Sequence, residues 1–382
     1  MSARDERLAE WQHRLDEARA IGRARSLRLQ GGLDFSSNDY LGLAGEFARR
    51  DPLSISGSSG SRSLSGHWPA HEELEERLAD WHRGSRHEVA ALVFGSGYAA
   101  NEGLLSTILE AGDLVCSDRW NHGSLIDGMR LSKAERLVFQ HQDLAHLESS
   151  IRERLEAVRS RGGRVYVVTE SLFGMDGDRS DLSALVDLCD RVDAMLIVDE
   201  AHATGCFGER GEGLIGELGL RDRVFASVHT CGKALGSHGA YVVGPKVLRD
   251  WLIQSCRHFI FSTALPAALA QRTREAVDRC DASPDARERL RQKGRLLREG
   301  IASIGLAMPE GVADHIIPIV LGSDRAVEDA SMRLEGGGLR VPAIRFPTVA
   351  VGQARLRVSV RADHQDDELE RLITGLRACL QN

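Results

Sequence analysis

VAALVFGSGYAANEGLLSTILEAGDLVCSD, residues 89–118, decides the fold class. VAALVF is a short apolar run rich in strand formers, and its brevity and bounding glycines favour a buried strand over a helix. Gly95 and Gly97 follow in a tight turn. AANEGLLSTILEAG then reads as a helix, and DLVCSD as a second apolar run. Strands alternating with helices in this way are the signature of a mainly parallel sheet covered by helices.

Downstream, the pattern repeats. RVYVVTE (164–170), AMLIVDEAH (194–202) and VFASVHT (224–230) are further apolar runs, most of them ending in polar residues. Helical spacing lies between several of them, as at 182–192. An α/β fold with a mainly parallel central sheet flanked by helices is the expectation. In such sheets ligands bind beyond the carboxyl ends of the strands, so the residues just after each run carry the information.

Upstream, residues 6–19 have helical spacing, with Leu8, Trp11 and Leu15 on one face. GSSGSRSLSG (57–66) precedes a helix that opens at Pro69 and continues through Leu74, Leu78 and Trp81. A glycine loop opening onto a packed helix suggests backbone that must approach something closely. After residue 263, helices over about 266–281 and 284–304 precede a strand at IIPIVLG, a helix near 325–335, the runs LRVPAIR and LRVSV, and a last helix from about 364. The expected division is an N-terminal helix and arm (1–40), a large domain (41–265) and a smaller α+β domain (266–382).

A chain of 382 residues is long enough for such a pair of cores, and 42% hydrophobic with 27% charged residues suits a globular protein. The net charge of −7, with both signs interspersed, argues against a polynucleotide partner. The charged start MSARDERLAEW has no apolar stretch of a signal peptide, and no run approaches the roughly 20 apolar residues of a membrane span. The seven cysteines are widely spaced without a CxxC pair, which favours reduced thiols in the cytoplasm over disulfides or zinc. The pairs His67/His71, His82/His87 and His141/His146 lack a nearby third ligand, so no metal is expected.

Three strand ends carry chemistry. The GSGYAA turn leads into a helix N-terminus, where free N–H groups bind anions. With Asp118 about twenty residues on, it also fits a dinucleotide fingerprint, and alone it is equally compatible with an ordinary turn. Asp199 ends another apolar run, where helix capping is the bland alternative. The DEAH letters suggest a helicase box, but no phosphate-binding G-x-x-x-x-G-K-[ST] loop accompanies them. Lys233 follows a third run between glycine and small residues, so its amine is expected in the cleft, where a desolvated lysine acts as a Schiff-base nucleophile. An anion site, a carboxylate and an amine at strand ends match pyridoxal phosphate (PLP), which needs phosphate donors, a partner for its ring nitrogen and an amine for its aldehyde. His122, after DLVCSD, is placed to lie against the ring.

Across nearly its whole length the chain resembles the α-oxoamine synthases, fold type I PLP-dependent enzymes. The resemblance rests on FSSNDYLGLA (35–44), GSGYAAN (95–101), the NHGSL around His122, MDGD (175–178), VDEAHATG (198–205), TCGKALGSHGA (230–240), FSTALP (261–266), AIRFPT (343–348) and ARLR (354–357). FSSNDYLGLA, FQHQD (139–143) and AIRFPT resemble the branch of biotin biosynthesis. That branch condenses L-alanine with a pimeloyl thioester, on coenzyme A or a carrier protein, to give 8-amino-7-oxononanoate, CO2 and free thiol.

The resemblance implies that Lys233 forms the Schiff base and moves protons. It implies that Asp199 pairs with the pyridine nitrogen, His202 contacts the ring hydroxyl and His122 stacks on the ring. Gly97 and Tyr98 would offer backbone donors, and Thr230 a hydroxyl, to the cofactor. Thr263 would reach the phosphate of a neighbouring subunit's cofactor in a homodimer. Arg345 would hold the amino-acid carboxylate, with Thr348, Asn38 and an N-terminal arginine, Arg25 or Arg23, near the substrate. One departure stands out: Gly174 in LFGMDGD occupies the place of the family's usual serine.

Three other readings remain. A dinucleotide-dependent oxidoreductase would use the GSGYAA turn but leave Lys233 and Asp199 without work. A non-catalytic protein on this fold would have little reason to keep both. A sister synthase using glycine or serine with another acyl donor would need almost the same site.

Overall fold

The computed structural model describes residues 66–84, 88–306 and 313–380, with 13, 16, 17, 20–22, 33–35, 40, 41, 58, 60–64, 308 and 311. Leu8, Trp11 and Leu15 lie outside these residues; positions 13, 16, 17 and 20 are helical. The chain divides into two compact units, one of residues 38–173 and 178–289, the other of residues 1–37, 174–177 and 290–382.

The larger unit holds a seven-stranded sheet. A two-residue strand, β1 (Leu33–Asp34), precedes it in the other unit. The sheet's strands are β2 (Val89–Phe94), β3 (Leu114–Asp118), β4 (Glu135–Phe139), β5 (Val165–Glu170), β6 (Ala194–Asp199), β7 (Ala226–Thr230) and β8 (Ala240–Pro245), in the order β2-β8-β7-β6-β5-β3-β4. β4, β3, β5, β6 and β7 pair in parallel, whereas β8 is antiparallel to both neighbours. β2 therefore runs with the parallel set. The carboxyl ends of six strands share one edge of the sheet.

The helices follow from their caps and apolar stripes. α1 (Pro69–Trp81) starts with proline in its first turn, and the Trp68 N–H donates to His71 Nδ1 at 3.1 Å. Leu74, Leu78 and Trp81 are buried, as their spacing predicts. α2 (Gly97–Ile108) is capped by Ser96, α3 (Gly123–Leu131) by His122, α4 (Leu144–Ser160) by Asp143 and α5 (Leu182–Val192) by Asp181, each side chain accepting a first-turn N–H. One face of the sheet joins α2 in a core that includes Leu92, Leu104, Val115, Val168, Ile197 and Val228. At about 25 cal/mol per Å² of apolar surface, burial of these side chains is the main force holding the sheet flat against α2.

α6 (Ala267–Asp281) packs on α1, which keeps it with the larger unit although the change of sequence character falls near residue 263. α7 (Pro284–Ser303) carries the chain across the division at residue 289. The smaller unit has an antiparallel sheet in the order β11-β12-β9, formed by β9 (Ile316–Gly322), β11 (Ala343–Ile344) and β12 (Ala354–Ser359). α8 (Asp324–Gly336) packs on this sheet and on α9 (Asp366–Leu380), and β10 (Leu339–Arg340) pairs in parallel with β1. LRVPAIR is thus two short strands separated by Val341–Pro342, since proline has no N–H for a continuous ladder.

Candidate active site

β6 and β7 are neighbours, and their ends bring Asp199 and Lys233 to one edge of the larger unit. Asp199 is buried, with one oxygen accepting from the Ala201 N–H at 2.8 Å and the other from Asn101 Nδ2 at 2.7 Å. Asn101 also donates to Ser124 Oγ at 2.9 Å. The carboxylate is thereby fixed in rotation without a counter-cation against it in these contacts. Lys233 Nζ lies 2.9 Å from His202 Nε2, and the Tyr40 hydroxyl lies 3.1 Å from His202 Nδ1. This chain orients the amine through an imidazole whose second nitrogen is already tied.

His122 stands exposed at the end of β3, and its backbone N–H donates to Glu170 Oε1 at 2.7 Å. Its Nδ1 accepts from the Ser124 N–H at 3.2 Å and lies 2.8 Å from Ser124 Oγ. Partial desolvation lowers the imidazole pKa, Asp199 opposes the shift and the Lys233 charge adds to it. Glu170, at the end of β5, is buried; burial first, then the Asp199 carboxylate, raises its pKa, with Lys233 pulling the other way. Glu170, Asn101 and Tyr40 are contributors that sequence reasoning missed. The strand-end rule that picked Asp199 applies equally to Glu170 in RVYVVTE, whereas nothing in the spacing marks Asn101.

At the third strand end, the N–H groups of Gly97 and Tyr98 open α2, where the helix supplies them no acceptor. A Cβ at Gly95 would meet nothing within 4 Å, and one at Gly97 would touch only Thr230, at 4.0 Å. The Thr230 hydroxyl contacts the Gly232 N–H at 3.3 Å and the Gly239 carbonyl at 3.4 Å. Tyr98 donates its hydroxyl to Asp127 and sets its ring edge-on to His122, centroids 6.1 Å apart. The donor set fits PLP: helix-terminal N–H groups with no acceptor within the helix, beside open space, a hydroxyl, a fixed carboxylate, an exposed imidazole and an amine.

The remaining expected residues lie elsewhere. Thr263 is exposed and bridges Ser61. Arg345 and Thr348 belong to the smaller unit, where the Arg345 guanidinium pairs with Glu328 and donates to the Gly22 carbonyl, and the Thr348 N–H donates to the Arg345 carbonyl at 2.9 Å. Arg23, Arg25 and Asn38 lie outside the described residues. Gly174 is buried and its carbonyl accepts from Arg357 Nε.

Residues 30–376 match the family described as aminotransferase class I and II. The chain belongs to this family. Several 8-amino-7-oxononanoate synthases are similar to this chain. One from Chromohalobacter salexigens is 41% identical over 356 residues, 91% of this chain and 89% of the relative. Another, from Lysinibacillus sphaericus, is 37% identical over 350 residues, 90% of this chain and 87% of the relative. Among solved structures, one of SPT with PLP as internal aldimine superposes with a TM-score of 0.84 at 27% identity, covering 99% of this chain and 97% of that one. This membership makes the chain a PLP-dependent transferase of the 8-amino-7-oxononanoate synthase kind. It also removes the oxidoreductase reading. Asp118, the acid that reading would spend on a ribose, instead binds the Trp120 and Gln142 N–H groups and His141.

Proposed function

We propose that the chain condenses L-alanine with a pimeloyl thioester, releasing CO2 and the free thiol carrier and yielding 8-amino-7-oxononanoate. The observation that carries this reading is the convergence of Lys233, Asp199 and the open Gly95–Gly97 turn on one sheet edge, in a chain whose relatives bear that name.

PLP supplies a covalent hold on the amino nitrogen and an electron sink for negative charge at the amino acid's Cα. Lys233 would hold the cofactor through its aldehyde and would move protons to and from the amino acid's Cα. Asp199, held by Asn101 and Ala201, would pair with the ring nitrogen. His202, beside the Lys233 amine, would meet the ring hydroxyl. His122 would stack on the ring. Gly97, Tyr98 and Thr230 would hold the phosphate end, and Thr263 would serve the site of a second copy. Arg345 grips the alanine carboxylate, assisted at the substrate by Thr348, Asn38 and Arg25 or Arg23. A two-pronged guanidinium–carboxylate pair would fix the orientation of the alanine Cα.

A homodimer is part of the proposal, since Thr263 is proposed to serve the cofactor site of a second copy. The cytoplasm is the proposed compartment, in keeping with seven unpaired cysteines. No helix among the described residues is long and apolar enough to cross a membrane.

The test is a product assay on the PLP-loaded enzyme, crossing alanine, glycine and serine with short and long acyl thioesters on coenzyme A and on carrier protein. Turnover restricted to alanine with the pimeloyl donor is the expected result. Preference for glycine or serine would transfer the chain to a sister synthase. A visible cofactor band that survives Lys233→Ala would refute the assignment of the amine.

A further inference from the structure

FQHQD and MDGD, quoted above for resemblance alone, meet in space. His141 follows β4, and its Nδ1 lies 2.9 Å from Asp118 Oδ1, at the end of β3. Its Nε2 lies 2.6 Å from Asp178 Oδ2. An imidazole with a carboxylate on each nitrogen satisfies both only as the cation, when both nitrogens donate. Burial opposes that charge, but the hydrogen bonds and charges of Asp118 and Asp178 outweigh it and raise the His141 pKa to about 9.

The same atoms bind the surrounding loops. Asp118 Oδ1 accepts from the Trp120 N–H at 2.8 Å and Oδ2 from the Gln142 N–H at 3.1 Å. Gln142 Nε2 also donates to Asp178, and the Asp178 carbonyl accepts from the Phe173 N–H at 3.0 Å. Trp120 stacks on the His141 ring, centroids 3.8 Å apart and 20° from parallel, while Phe173 meets it edge-on at 4.5 Å. An indole face over an imidazolium adds a cation–π attraction. Trp120 is two residues before His122, whose N–H is fixed by Glu170.

We infer that His141 is a positioning residue: as a cation between Asp118 and Asp178 it pins the 118–122 loop, and so sets the height of the His122 ring over the cofactor. The inference rests on the proposed stacking role of His122. The two carboxylates that repel one another without it make the loop's placement depend on the charge of this imidazole.

Two measurements test it, one without substrate. In the PLP-loaded protein, the fluorescence difference between wild type and Trp120→Phe isolates the indole that the charged ring quenches. That difference should rise with a midpoint near pH 9, where His141 loses its proton. A difference flat from pH 7 to 10 would overturn the inference, even if His141 variants fail to fold. In kinetics, His141→Gln should lower kcat by roughly ten- to hundredfold, the scale of a misplaced catalytic group, with the KM for alanine nearly unchanged. Adding Asp178→Asn should restore part of the loss by removing one unpaired charge. A His141→Gln enzyme with wild-type kcat, or no rescue by the second substitution, would equally overturn it. Failure of the proposed reaction would show instead as inactive wild type with the fluorescence titration intact.

Discussion

Glu328→Gln should tighten alanine binding. The Arg345 guanidinium pairs with Glu328, whose side chain is 30% exposed against 16% for the arginine. If Arg345 takes the substrate carboxylate, that carboxylate competes with Glu328 for the same donors. A fully buried charge-assisted bond is worth about 1.5–3 kcal/mol, and an exposed ion pair about 0.2–1. With one partner nearly a third exposed, solvent screening places this pair near the lower range, about 1 kcal/mol. Glutamine keeps the shape and one neutral acceptor but removes the competing charge. The gain of about 1 kcal/mol corresponds to roughly a fivefold fall in the KM for alanine, with kcat nearly unchanged because the group leaves Arg345 before chemistry. The assay is initial rate against alanine at saturating thioester, checked by a spectral titration of the bound cofactor with alanine alone, since KM equals Kd only when chemistry is slow. Arg345→Ala is the opposing control and should raise the KM. A Glu328→Gln enzyme whose KM rises like that control would refute the competition and make Glu328 a support for the arginine.

Three further outcomes follow from the geometry. Lys233→Ala should abolish turnover and the visible cofactor band together, read by absorbance of the purified protein. The His141 cation stabilises the fold because its folded pKa, about 9, stands above the unfolded value of 6.5. The contribution is complete below about pH 6.5 and is lost as pH rises through 9. Its ceiling is about 3 kcal/mol, measured as the change in unfolding free energy between pH 6.5 and 10, wild type minus His141→Gln; a pH-independent difference would contradict it. Gly177 has a φ of +73°, and a Cβ there would lie 2.6 Å from the Ile316 carbonyl oxygen. Gly177→Ala should therefore cost about 1–3 kcal/mol and lower the melting temperature by several degrees; an unchanged melting temperature would mean the loop relaxes freely.

Most of the parallel strands were legible because they are largely buried on both faces and so read as unbroken apolar runs. Two strands were not. β4, ERLVF, sits at the sheet edge with Glu135, Arg136 and Val138 exposed, so its composition is that of a loop. β8 begins directly after the glycine-rich stretch around Lys233, and being antiparallel it needs no crossover helix to announce it. In the site, single residues at strand ends were legible as chemistry, because sheet topology fixes where they point. Their partners were not. Asn101 reaches Asp199 from one turn inside α2, and Tyr40 reaches His202 across 162 residues, distances that no local spacing encodes.

Charge accounting ties these partners together. Within the strand-end site stand two buried carboxylates, Asp199 and Glu170, and one amine, Lys233. Two anions against one cation would leave a net charge in a poorly solvated pocket, and the Asp199 carboxylate raises the proton affinity of Glu170. Asp199 receives two N–H donors on separate oxygens, from Ala201 and Asn101, and the Glu170 side chain receives the His122 N–H. The proton therefore goes to Glu170, in keeping with the upward shift that burial and Asp199 impose on it. Neutral Glu170 still holds the His122 backbone, and Asn101 and Ala201 hold the two Asp199 oxygens in place. Asn101 thus fixes the carboxylate proposed to meet the pyridine nitrogen. Asn101→Ala should weaken cofactor retention by the worth of one hydrogen bond to a charged group, about 1.5–3 kcal/mol or at least tenfold in dissociation. The rate of cofactor release on gel filtration measures it, and an unchanged rate would refute a role for Asn101 in holding Asp199 for the cofactor.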